Sequence, residues 1–372
     1  MELGLGLIGS GFMGRTHAFA FNNVARVFDL PVKVRPVMLA DVGEEQAARA
    51  AAALGFTEST ADWRRLVADP RVHIVSVTSP NLLHKEMALA AIAAGKHVYC
   101  EKPLAPKVSD AEEMVRAAEA KGVVTAVGFN YLKNPMMRLA KEIIDSGEIG
   151  EIRAFSGVHA EDFMMDAEVP WTWRLDPAGG GGALADLGSH LIAAARYLVG
   201  PVAEVCGEVA TLVATRPDGA GSTNRKPVEV EDIGRAFLRF ENGCSGVLEA
   251  SWIAGGRKMR QDFEITGSRG SIAYCGERMN ELDLYVASGK ARRDGFRKIL
   301  AGPANEPYGA FCVAPGHQLG FNDLKTIEVR DLVRAIAGEK TGHADFREGL
   351  EVQRTLEAIY RSTGGGGWTR VS

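Results

Sequence analysis

The strongest constraint on this 372-residue chain is an alternation confined to its first third. Short apolar runs at residues 3–8, 36–40, 73–78, 97–100 and 123–128 are separated by Ala-rich stretches of helical spacing at 44–54, 82–94 and 109–121. Strands that read as continuous apolar runs are buried on both faces, and parallel strands need long crossovers between them. The pattern therefore predicts an α/β domain: a parallel sheet covered by helices on both sides. Gly55, Gly95 and Gly122 stand just past the helical stretches, where a left-handed residue closes a helix. Asp62 and Ser109 stand at the expected N-caps.

The pattern changes near residue 130. A helix is expected over 135–146, a strand over 151–160 and a helix over 183–198. Alternating segments follow near 202–214, 232–240, 243–253, 261–267, 270–275 and 281–287, then helices near 323–337 and 347–362. Short turns such as Glu241-Asn242-Gly243 join neighbouring strands as hairpins. We expect two domains, 1–129 and 130–372, the second an α+β domain with a large, mainly antiparallel open sheet. The tetraglycine 364–367 reads as a flexible run before Trp368.

Gly9-x-Gly11-x-x-Gly14 follows the first strand and opens a helix. In that setting the glycines allow a tight turn, backbone access for a pyrophosphate and close helix–strand packing, as in a Rossmann dinucleotide-binding domain. Phe12 and Met13 begin the helix, whose free N–H groups and dipole attract phosphate. Asp41 ends the second strand, 27 residues beyond Gly14 rather than about 20, and suits the adenosine ribose hydroxyls. No Lys or Arg follows in Val42-Gly43-Glu44-Glu45, which favours NAD over NADP. The competing reading of Asp41 is a cap for the next helix.

Composition removes other classes. Lys and Arg total 43 against 47 Asp and Glu, leaving no surplus for a nucleic-acid partner. No apolar run is long enough to span a bilayer, so no membrane role is expected. Five widely spaced cysteines suggest neither a disulfide framework nor a zinc site, and point to the cytoplasm. Glycine is in excess, at 43 residues against an ordinary share of about 7%.

Two groups carry candidate chemistry. Lys102, in Glu101-Lys102-Pro103, ends a parallel strand where open α/β sheets bind ligands, although taken alone such a lysine is more often an exposed turn residue. Asp186 and His190 are four residues apart and share a helix face, preceded by Gly179-Gly180-Gly181-Gly182, which lets another backbone or a ligand approach. A carboxylate beside an imidazole suits a general base, and an ordinary surface pair is the alternative. The two could also ligate a metal, but no third ligand has convincing spacing, so none is expected.

Together, the glycine turn, Glu101-Lys102-Pro103 and the GGGxLxDxGxH segment ending at His190 resemble the Gfo/Idh/MocA oxidoreductase family over essentially the whole chain. Ser79-Pro80-Asn81 with His84 is similar to that family's TPNxxH segment, and Gly128-Phe129-Asn130-Tyr131 to its passage into the second domain. The resemblance implies NAD contacts from Ser79, Asn81, His84, Glu101 and Lys102, and a catalytic triad of Lys102, Asp186 and His190 with His190 as base. A cis Lys102–Pro103 bond is the family habit. Ala193 stands where the family often carries an acid.

Further segments around Asp162, Trp171-Thr172-Trp173-Arg174 and His317 resemble a branch acting on cyclitols and unusual aldoses. Asp162, Trp173, Arg174 and His317 are the expected additional substrate contacts. The implied activity is NAD-dependent oxidation of a secondary ring hydroxyl of an inositol, an L-glucose-like aldose or an anhydrosugar, in a homodimer or homotetramer. An NAD-using glycoside hydrolase and a non-catalytic sugar or dinucleotide sensor are the competing expectations.

Overall fold

The computed structural model describes residues 2–289 and 291–372. The chain divides into two compact units: residues up to Lys133 with Leu319–Glu351, and Asn134–Gln318 with Val352–Ser372.

The first unit runs β1 (Glu2–Ile8), α1 (Phe12–Val27), β2 (Lys33–Ala40), α2 (Glu44–Leu54), β3 (Glu58–Thr60), α3 (Trp63–Ala68), β4 (Ile74–Val77), α4 (His84–Ala93), β5 (His97–Cys100), α5 (Val108–Lys121) and β6 (Thr125–Val127). Its strands lie in the order β3-β2-β1-β4-β5-β6, every pair parallel. The order reverses between β1 and β4, so the loops after their carboxyl ends, at Gly9 and Ser79, flank the switch point where such sheets bind ligands. Leu5, Leu7, Val75 and Val98 are fully buried, as apolar strands covered on both faces require. Gly55, Gly95 and Gly122 all have positive φ. Asp62 caps α3 by accepting from the Arg64 N–H at 3.0 Å. Ser109 does not cap α5: the helix starts one residue before it, at Val108, and Lys107 occupies the cap position without a side-chain bond.

The second unit contains α6 (Pro135–Asp145), β7 (Ile152–Ala160), α7 (Ser189–Leu198), β8 (Val202–Ala210), a ribbon of β9 (Thr215–Pro217) and β10 (Arg225–Pro227), β11 (Ile233–Phe240), β12 (Ser245–Ser251), β13 (Arg260–Gly267), β14 (Gly270–Tyr274), β15 (Glu281–Val286), β16 (Arg297–Leu300) and the short α8 (Tyr308–Phe311). Two helices follow, α9 (Phe321–Ile336), which packs beside α1, and α10 (Phe346–Gly365), before a last strand β17 (Thr369–Arg370). The nine-stranded sheet has the order β16-β15-β14-β13-β7-β12-β11-β8-β17. All its pairs are antiparallel except β7 with β12. Along β11 buried and exposed residues alternate, so one face meets the core and the other solvent.

The 364–367 tetraglycine departs from the sequence expectation. Gly364 and Gly365 continue α10, and Gly366, at φ 68°, ends it. β17 pairs with β8 and the Arg239 guanidinium lies 3.8 Å from the centre of the Trp368 ring, so tertiary anchoring on both sides overrides the weak helix propensity of glycine. Among the described residues no helix is long and apolar enough to cross a membrane.

Candidate active site

The three glycines of the first turn have different surroundings. Gly9 has φ 94°, which side chains rarely adopt. A Cβ on Gly14 would clash with the Gly9 carbonyl, so this glycine allows α1 to start close against β1. Nothing lies within 4 Å of a Cβ placed on Gly11. That open position coincides with the N-terminus of α1, which has no side-chain cap and no acid in its first turn. Phe12 is 71% exposed beside it and stacks on Phe321, with ring centres 5.6 Å apart. An uncapped 16-residue helix facing open space fits a dinucleotide pyrophosphate. Asp41 accepts from the Ser10 N–H at 2.7 Å and from the Ser10 hydroxyl, and also from the Val42 N–H at 2.6 Å and Gln46 at 3.0 Å. It therefore braces the glycine turn, which the sequence did not suggest.

On the other side of the switch point, Ser79 and Asn81 lie in the loop after β4. His84 is fully buried, with Nε2 2.9 Å from the Ser79 carbonyl and Nδ1 3.0 Å from the Pro103 carbonyl. It ties the Ser79 loop to Pro103, the residue that follows the cis Lys102–Pro103 bond. Lys102 is half-buried, whereas the Glu101 carboxylate turns inward. A Cβ on Gly128 would clash with that carboxylate, which accounts for the glycine in Gly128-Phe129-Asn130.

Glu101 belongs to a buried polar network. It accepts from His17 Nε2 at 2.7 Å and from the Lys325 ammonium at 2.9 Å. His17 Nδ1 accepts from the Ser76 hydroxyl at 2.7 Å. Lys325 also lies 3.0 Å from the Tyr99 hydroxyl and 2.9 Å from Glu328, to which Tyr99 donates. Burial alone would raise the Glu101 carboxyl, but the Lys325 charge and the His17 bond hold it well below the usual carboxylate range. Burial and the Lys325 charge lower His17 from 6.5 to about 4, so it is neutral with its proton on Nε2. Burial pushes Glu328 up. Sequence reasoning missed Lys325 entirely, because only the tertiary fold brings it to Glu101.

In the second unit the 179–182 tetraglycine has a clear purpose. Gly180 and Gly181 have φ values of 99° and 121°, and a Cβ on Gly181 would clash with the Tyr360 hydroxyl. A Cβ on Gly182 would clash with the Glu231 carbonyl. The buried Glu231 carboxylate accepts from the N–H groups of Gly182 at 3.1 Å and Leu184 at 2.8 Å, and from Tyr360 at 2.9 Å. It thus satisfies the start of the helix that carries the candidate chemistry.

That helix is not uniformly α. Leu184–Gly188 form a π turn that continues into α7 at Ser189, so Asp186 and His190 lie on successive segments of different pitch, not on one regular helix face. A wider turn of this kind is rare and frequent at functional sites. Asp186 accepts from Arg174 Nε at 3.3 Å, and the Arg174 guanidinium lies 4.6 Å from the centre of the Trp173 ring. His190 is 6% exposed, with its ring 5.8 Å from that of His159. His159, not singled out by the sequence, is fixed by the Leu187 carbonyl at 2.9 Å and faces Glu161 at 3.4 Å.

The structure thus groups Trp173, Arg174 and Asp186, and places His190 beside His159. Asp162 is turned instead to the β12–β13 loop, where it accepts from Lys258 at 2.6 Å and the Gly256 N–H at 3.1 Å. His317 lies on an exposed loop, its N–H donating to the Tyr308 hydroxyl at 3.2 Å. Ala193 is buried in α7, where the acid usual in the family would need a partner.

A dinucleotide turn at a parallel switch point, joined to a second unit with an open mixed sheet, defines a two-domain oxidoreductase with an NAD-binding Rossmann fold. Residues 3–129 match the oxidoreductase family of that description and 137–273 the GFO/IDH/MocA C-terminal domain. Levoglucosan dehydrogenase of Pseudarthrobacter phenanthrenivorans is 38% identical, covering 100% of this chain and 98% of its own. The solved structure of levoglucosan dehydrogenase in complex with NADH and levoglucosan superposes with TM-score 0.96 at 38% identity, covering 100% of both chains. An NAD-binding oxidoreductase from Klebsiella pneumoniae superposes with TM-score 0.95 at 42% identity, again covering 100% of both. The chain belongs to the Gfo/Idh/MocA family of oxidoreductases.

Two predictions follow from the first unit. Gly11→Val leaves the melting temperature near that of the parent but raises the NAD dissociation constant measured by calorimetry, whereas Gly14→Ala lowers the melting temperature itself. Because His17 is depressed to about 4, the unfolded chain takes up a proton between pH 6.5 and pH 4 that the folded chain refuses. Stability is therefore full above pH 6.5 and falls by about 3 kcal/mol across that window. Urea midpoints for His17→Gln should lose this part of the acid slope.

Proposed function

We propose that this protein oxidises a secondary ring hydroxyl of a sugar or cyclitol, with an anhydrosugar of the levoglucosan type as the leading substrate class. The full-length likeness to a levoglucosan dehydrogenase seen with both NADH and levoglucosan carries the reading. When bound, NAD supplies the two-electron oxidant. It would be held by the turn from Gly9 to Gly14, the start of α1 and Asp41, with Ser79, Asn81 and His84 on the opposite loop.

The chain's own residues bind, orient and handle the proton. His190, screened from water, takes the hydroxyl proton onto its imidazole. Asp186, with its carboxylate turned to Arg174, orients the substrate hydroxyls and the histidine. Lys102 donates a hydrogen bond to the reacting oxygen and stabilises the charge that develops there as the proton leaves. Trp173 and Arg174 offer a ring face and a fixed donor to a polyhydroxylated substrate. Asp162 and His317 serve as outer substrate contacts. The hydrolase and sensor readings are less favoured, because the named full-length relative is a dehydrogenase.

An absorbance screen for NADH across anhydrosugars, inositols and L- and D-aldoses tests the proposal. One NADH should form per sugar oxidised, and His190→Asn should lower kcat on the order of 10²- to 10⁴-fold. Sugar cleavage without net NADH would instead establish the hydrolase. Binding without turnover would establish the sensor.

We also propose a homodimer or homotetramer in the cytoplasm, a setting that suits five free cysteines. Its support is the open sheet face, where Phe237 and Val247 pair across β11 and β12 and are 57% and 40% exposed. A second copy of the same face is the occupant such a patch fits. Light scattering should give an integral multiple of the 39.9 kDa chain, and Phe237→Lys should reduce it. A monomeric parent protein would overturn the assignment.

A further inference from the structure

We propose that Lys325 is a positioning residue for the reaction: through Glu101 it sets the backbone at Lys102 and so aims the Lys102 side chain. The inference rests on the reading that Lys102 acts in turnover. Lys325 is fully buried on α9, more than two hundred residues from Glu101 in the chain, yet its ammonium lies 2.9 Å from the Glu101 carboxylate. The second Glu101 oxygen accepts from the Lys102 N–H at 3.3 Å. The carboxylate thus sits between a buried cation and the peptide from which the candidate catalytic lysine projects.

A buried lysine is costly, and a nearby glutamate alone does not explain one, since apolar residues of similar volume pack at least as well. The surroundings indicate what the charge holds. Ser76 and His17 fix one side of Glu101, Tyr99 and Glu328 fix Lys325, and Gly128 leaves the carboxylate room. Pro103, the next residue, is anchored through its carbonyl to His84. Lys102 therefore lies between two pinned points, and among the described residues Lys325 is the cation of the network that pins the first. With Lys325 removed, Glu101 keeps His17 as a partner but loses the charge that keeps it ionised. It then either takes a proton or turns, and in both cases the Lys102 N–H loses its fixed acceptor.

Kinetic comparison of Lys325→Met, Lys325→Arg and Lys102→Ala tests the inference. Lys325→Met should lower kcat on the order of 10²-fold, the effect of a reacting group misplaced by about 1 Å. The NAD dissociation constant from calorimetry and the KM for sugar should stay close to the parent values. The acid side of its kcat profile should move to higher pH, because Glu101 now protonates more readily. Lys325→Arg, which keeps the charge, should recover most of the rate. A purely structural role would lower the melting temperature without moving the pH profile.

Should Lys325→Met fail to fold, the double variant Lys325→Met/Glu101→Gln removes both buried charges together, and a folded double variant with parental kcat overturns the inference. So does a folded Lys325→Met with parental kcat and pH profile while Lys102→Ala is inactive. Undiminished turnover in Lys102→Ala overturns the underlying reading of Lys102, and the inference with it.

Discussion

A carboxylate buried at the carboxyl end of β5 organises the first unit. Glu101 follows the strand directly, so its backbone is fixed by the sheet, and its side chain is almost wholly buried. An ion in that position must be met by a cation and by hydrogen-bond donors, or it takes up a proton. Lys325 supplies the cation and His17 a donor, which draws α9 and α1 to the same point on the sheet. This demand accounts for the membership of the first unit, where a segment from the end of the chain, Leu319–Glu351, packs with residues from its beginning.

The second unit meets a similar demand by other means. Glu231 is also buried, but its partners are two backbone N–H groups and the Tyr360 hydroxyl, all of them dipoles. Burial wins there and pushes the Glu231 carboxyl up, whereas at Glu101 a full positive charge wins and pushes the carboxyl down. Tyr360 is in turn raised well above its ordinary value by burial and by Glu231, so it remains a donor. The result is a helix start held from inside the protein, which leaves the other side of the segment for Arg174, Asp186 and His190.

What was readable in the sequence was local. The strand and helix alternation of residues 3–128 reports burial on both faces, and the Gly9-x-Gly11-x-x-Gly14 turn reports steric needs within a few residues. Both are therefore visible without a partner in view. The tetraglycine before Asp186 was visible as a signal of close approach, but what approaches, Glu231 and Tyr360, is distant in the chain. Lys325 carried no signal at all: a lysine among helical residues reads as solvent-facing until the fold supplies Glu101. Where local reading failed, tertiary contacts had overruled propensity. Ser109 is a good cap residue inside a helix, and Gly364–Gly365 are poor helix formers kept helical by the anchored strand beyond them.

The π turn at Leu184–Gly188 shows why such rulings concentrate near chemistry. A regular α-helix from Ala183 would place Asp186 and His190 one turn apart on a single face, which suits an ion pair on a protein surface. The wider turn changes the rotation between them, so Asp186 can address Arg174 while His190 packs beside His159. A π turn is rare and occurs mostly as a single turn within an α-helix, and here it is fixed from outside. Glu231 fixes the start through the Gly182 and Leu184 N–H groups, and the Leu187 carbonyl, held by His159, fixes the interior. The distortion is therefore supported by a carboxylate on one side and an imidazole on the other, and each of those is itself buried. That arrangement orients the His190 imidazole and the Asp186 carboxylate independently of one another.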